Sequence, residues 1–158
     1  MEHAGNPIRS SSDLWRLARD GDLRGSIDAA RRTLEGLGPA SATDLFVDLH
    51  LVIAFCSMRA GDYAEAARTL DVAAQAANGA VAGSRFTPRV EVWRAELAYF
   101  QGRYSAAKAI VDQLVDELEQ AGDKAYAAFA MRIAIAILLA RTDYDGIAKL
   151  ASRAIHNA

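Results

Sequence analysis

Three carboxylates, Asp112, Asp116 and Glu119, recur at i, i+4 and i+7, a spacing that sets them on one helical face where they could offer oxygens to a hard cation. No second acidic cluster completes a coordination shell, so the spacing reads as a solvated acidic face. His3, His50 and His156 lie far apart, and none has a Glu or His at metal-ligand spacing. Cys56, the sole cysteine, falls in an apolar stretch with no evident base, which makes it a packing residue rather than a nucleophile. A single thiol also allows neither an intrachain disulfide nor a thiolate metal cage. Phosphate loop, dinucleotide fingerprint and nucleophile elbow are all missing. The sequence therefore reads as that of a non-enzyme, and no cofactor or metal is expected.

Binding chemistry is better represented. Trp15, Arg19, Phe55, Arg59, Trp93, Tyr99, Phe100 and Arg132 interleave arginine with large aromatics, the composition of interaction hot spots. The plain alternative is that Trp15, Phe55 and Trp93 fill an inter-helix core.

These residues keep register with a repeated turn. Gly61-Asp62-Tyr63 has near-copies at Gly21-Asp22-Leu23, Gly102-Arg103-Tyr104 and Thr142-Asp143-Tyr144, at intervals of 40, 41 and 40 residues. The glycine, present in three copies, can end one helix and the aspartate, present in three, can cap the next, which makes the stretch the tight turn of a helix hairpin. Apolar residues return at fixed offsets after each turn: Leu23, Tyr63, Tyr104 and Tyr144, then Ala30, Leu70, Val111 and Ala151, then Leu34, Ala74, Val115 and Ile155. Five residues after the turn stand Ser26, Ala66 and Ala107, small enough for close helix approach, whereas Ile147 breaks that rule.

Turn and offsets together resemble the tetratricopeptide repeat family, over about four units from near Ser12 to the C-terminus. The period is longer than the ~34 residues of the standard repeat, and no proline closes each unit; long-period repeats of this kind are similar to those of bacterial regulators. The resemblance implies an all-α fold of four stacked antiparallel hairpins in a right-handed superhelix, whose first helices line a concave face. Six residues before each turn stand Trp15, Phe55, Glu96 and Ala136; two before stand Arg19, Arg59, Phe100 and Ala140. On that reading Arg59 and Arg132 face the partner together with Trp93, and replacing either arginine by alanine should weaken binding at little cost in stability.

Composition agrees. The 158 residues suffice for one domain burying roughly 70% of its unfolded surface. They are 52% hydrophobic but only 8% aromatic, an alanine and aliphatic bias that favours close-packed helices. A net charge of −2 gives no global attraction to nucleic acid or anionic lipid. The N-terminus has no apolar signal-peptide core. Ala125 to Ala140, interrupted by Arg132, is too short and too charged for a membrane span.

The expected layout is a loose arm over 1–11 and one domain over 12–158, with units near 12–38, 41–78, 84–121 and 123–158. Ser11 or Ser12 should cap the first helix, Gly36 to Pro39 should break the second, and Ser41 to Asp44 should form a capping box. Asn78 to Gly83 reads as the longest loop and a hinge, and Thr87-Pro88 as the next helix start. The expected function is a non-catalytic, regulatory protein- or peptide-binding module of the bacterial cytoplasm, engaging neither nucleic acid nor membrane. The alternative is a sensory, scaffold or dimerisation segment of a longer signalling protein, a transcriptional activator or GGDEF-type diguanylate cyclase. The last helix is apolar around much of its circumference, so a homodimer through Ile147 and Leu150 is also expected.

Overall fold

The computed structural model describes residues 10–37, 43–79 and 86–156, with side chains as far as Ser152. All regular structure in them is helical: α1 (Ser11–Arg19), α2 (Leu23–Glu35), α3 (Thr43–Arg59), α4 (Tyr63–Gly79), α5 (Phe86–Phe100), α6 (Tyr104–Gln120), α7 (Lys124–Ala140) and α8 (Tyr144–His156). The all-α class follows from the turns that the sequence marks. Gly21, Gly61 and Gly102 adopt φ of 99°, 81° and 73°, the left-handed conformation that only glycine enters without a Cβ penalty. Each closes a Schellman motif: Asp62 N donates to Ser57 O at 2.9 Å while Gly61 N donates to Met58 O at 3.1 Å.

The aspartate that closes one helix also opens the next. Asp22, Asp62 and Asp143 each accept a hydrogen bond from the backbone N–H three residues on, at 2.9, 3.0 and 2.9 Å. One residue thus satisfies orphan groups at two helix ends, which is why three residues suffice to reverse the chain. Gly122-Asp123 is a further copy: Gly122 has φ of 74°, and Asp123 accepts from Tyr126 N at 3.4 Å. Thr142 is the exception, a β-branched residue held at φ of 55°.

Some boundaries differ from expectation. Ser10, not Ser11 or Ser12, caps α1, since its extended backbone lets its Oγ accept from Asp13 N at 3.4 Å. Helix α5 begins at Phe86, so Thr87 and Pro88 lie inside its first turn, where the missing proline N–H has no helical partner to lose. Helix α4 runs on through Asn78 and Gly79. The rest of that expected loop and hinge, Ser41 of the expected capping box, and the arm as far as residue 9 lie outside the described residues.

The chain divides into two compact units, Met1–Ala80 and Val81–Ala158. In the N-terminal unit α1 packs on α2, α2 on α3 and α3 on α4, and α1 also meets α3. Its core gathers Leu14, Ala18, Ala30, Leu49, Val52, Ile53 and Cys56. In the C-terminal unit the same plan recurs, α5 on α6, α6 on α7 and α7 on α8, with α5 also meeting α7. Val92, Val111, Leu118, Ile133 and Ile137 lead that core, each such side chain contributing ~1.5–3 kcal/mol by leaving water. The small residues five after the turns are buried as predicted: Ser26, Ala66 and Ala107 are fully enclosed, and Ala127 takes that place after Gly122. Among the described residues no helix is long and apolar enough to cross a membrane.

Candidate functional site

In the C-terminal unit the seam between α5 and α7 carries a continuous run of polar and aromatic contacts. Arg89, Trp93 and Glu96 follow one another at spacings of four and three along α5, hence on one face; Tyr126, Phe129 and Arg132 do the same along α7 at intervals of three. Because α5 and α7 pack together, the two rows mesh. Arg89 Nε donates to Asp123 Oδ2 at 2.6 Å, and its guanidinium lies 4.9 Å from the Tyr126 ring centre. Trp93 Nε1 points at the Tyr126 hydroxyl, 3.5 Å away, and the indole meets Phe129 edge-on at 4.6 Å. Arg132 then sits 4.9 Å over Phe129 and donates from Nη2 to Glu96 Oε1 at 2.8 Å.

Two features of this run bear on binding. The Glu96 side chain is only 9% exposed, and its Oε2 is buried without a hydrogen-bond partner among the described residues. Leaving such an acceptor unsatisfied costs ~1–3 kcal/mol. Arg132, by contrast, is 57% exposed. Ring and carboxylate hold its guanidinium in place, and among the described residues its five N–H donors make one hydrogen bond, to Glu96. A fork fixed in advance and still unsatisfied suits a carboxylate or phosphate. Arg132→Ala would strand Glu96, so the expected small stability cost does not apply to this arginine.

The other predicted site residues divide by unit. In the N-terminal unit Trp15 and Phe55 come together, ring centres 5.7 Å apart, and the Trp15 indole donates to Asp48 Oδ1 at 3.1 Å. Arg19 and Arg59 occupy the last turns of α1 and α3, exposed and favourably placed against the helix dipole. In the C-terminal unit Trp93 is 7% exposed, a seam residue and not a surface one. Tyr99 and Phe100 pair at 5.8 Å, and Tyr99 also meets Tyr104 at 5.6 Å beside the core. Ile147 and Leu150 are half-buried, Leu150 against the core, while Leu139 and Tyr144 are exposed at 53% and 70%.

Sequence reasoning missed Arg89, Tyr126 and Phe129. The available signal was spacing: Trp15–Asp48, Arg89–Asp123, Trp93–Tyr126 and Glu96–Arg132 are separated by 33, 34, 33 and 36 residues.

The residues first considered for chemistry have structural partners. Asp112 accepts from Lys108, and among the described residues no three metal-type ligands gather. Burial pushes the Cys56 thiol up to about 11, away from thiolate reactivity. His50 Nδ1 lies 2.8 Å from Phe46 O, and burial lowers its pKa from the ordinary value.

Compared with protein-family models, curated proteins and solved structures, the chain finds no match.

Proposed function

We propose that the chain is a tetratricopeptide-like helical-repeat protein acting as a non-catalytic regulatory module, which binds an acidic peptide segment of a protein partner at the α5–α7 seam of its C-terminal unit. The shared packing plan of the two units and the recurring turn support the repeat reading. The observation that carries the binding reading is Arg132, exposed, pre-positioned by Phe129 and Glu96, and rich in unused donors. Display selection of random peptides against the whole chain tests it. Enriched peptides should contain Asp, Glu or a free carboxyl terminus, and Arg132→Lys, which keeps a cation beside Glu96 but removes the fork, should lose the enrichment. Peptides without acidic groups, or an unchanged set with the variant, contradict the reading.

A second reading rests on Leu139 and Tyr144, large apolar side chains exposed at the C-terminal hairpin. Here the hairpin mediates self-association, most simply as a two-fold dimer. Light scattering decides: a dimer abolished by Leu139→Glu/Tyr144→Glu supports it, and a monomer at high micromolar concentration excludes it.

A further inference from the structure

The C-terminal unit contains an open groove of about 470 Å³ walled by α6 and α8 and floored by α7, within the size range of small-ligand sites. Its apolar surface comes from Val115, Ala134, Leu138 and Leu150. The equivalent place in the N-terminal unit explains why the groove is open. Gly21 and Gly102 are 81 positions apart, as are Gly61 and Thr142, so α2 corresponds to α6 and α4 to α8 residue by residue. In the N-terminal unit Arg31 on α2 reaches across to Glu65 on α4 with an Nη2–Oε1 distance of 2.9 Å, and Arg68 bonds the other Glu65 oxygen. The bridge spans the space between the two helices.

In the C-terminal unit each member of that bridge is changed. Asp112 replaces Arg31 and is engaged by Lys108 on its own helix. Gly146 replaces Glu65, which deletes the carboxylate and leaves its space to the groove. Lys149 replaces Arg68, so the cation is kept while its anion is lost. The remaining charged group of the lining, Asp143, is occupied in capping α8 through Gly146 N at 2.9 Å. Lys149 is thus the lining cation with no ion pair among the described residues.

We infer that this groove binds a small organic monocarboxylate, whose carboxylate takes the place of the missing Glu65 equivalent against Lys149 while its compact apolar body covers Val115, Leu138 and Leu150. The site is separate from the α5–α7 seam and does not depend on the peptide-binding reading.

Titration of the ¹⁵N-labelled whole chain with sodium octanoate, with octanamide as the neutral control, tests the inference. Octanoate should shift amides of α6 and α8 saturably. Octanamide on the parent, and octanoate on Lys149→Gln, should each bind about fivefold more weakly, the scale of a part-exposed ion pair. Gly146→Glu restores the internal carboxylate and should abolish binding. A Cβ at position 146 would lie 2.8 Å from Asp143 Oδ2, so if that variant fails to fold, Lys149→Gln, on an exposed side chain, decides alone. Absence of saturable shifts, shifts confined to other helices, or equal affinity for octanoate and octanamide overturns the inference.

Discussion

In the N-terminal unit the contact between α1 and α3 rests on Trp15, whose indole bonds Asp48 and tilts against Phe55. In the C-terminal unit the equivalent contact between α5 and α7 runs from Asp123 through Arg89, Tyr126, Trp93, Phe129 and Arg132 to Glu96. The second helices show the reverse: α2 and α4 are joined by Arg31 and Glu65, whereas α6 and α8 leave a groove. The same packing plan therefore holds with its polar ties moved from one pair of helices to another. Backbone turns and small seam residues fix the plan, and the charged side chains laid over it are free to specialise.

The comparison can be sharpened first at the tryptophans. Trp93, 7% exposed and flanked by two rings, should lose ~3–5 kcal/mol on change to alanine. Trp15, only half-buried, should lose clearly less on the same change. Denaturant melts of the two variants measure both, and equal losses would mean that the two seams carry equal weight.

A smaller effect is expected at the turns. Thr142 holds a left-handed conformation that the other turns give to glycine, so Thr142→Gly should stabilise by roughly 1 kcal/mol, and Gly61→Thr should destabilise by about as much. Calorimetry that shows no gain for Thr142→Gly would indicate that the hydroxyl contact from Thr142 to the Arg141 carbonyl offsets the strain.

The smallest effect separates the units by pH. His50 is the one histidine among the described side chains, and its folded pKa lies below the ordinary value of about 6.5 because burial disfavours the cation. Between those two values the unfolded chain binds a proton that the folded chain does not. Stability should hold above about pH 6.5 and fall as pH drops through the window. Hydrogen-exchange protection factors of α3 amides, corrected for the intrinsic rate at each pH, should fall there in the parent and less so in His50→Gln.

Helix positions were legible because the signal is local: a glycine and a small residue at fixed offsets mark where α2, α4 and α6 begin, with an aspartate cap at the first two. The turn at Gly122 falls outside the interval of about 40 residues that marks the other copies, although the same reversal joins α6 to α7. The seam was half-legible. Trp93 and Arg132 were singled out by type, but Phe129, which brings them together, depends on the register of α5 against α7, and that register is set by packing.

The most direct test of the α5–α7 seam as a recognition surface is a heteronuclear NMR titration of the whole chain with an acidic peptide obtained by selection. Amides flanking Trp93, Glu96, Phe129 and Arg132 should shift saturably, and Arg132→Lys should weaken binding by about tenfold, the loss of one charge-assisted fork contact. Shifts confined to other helices, or an affinity that Arg132→Lys leaves unchanged, would contradict the account.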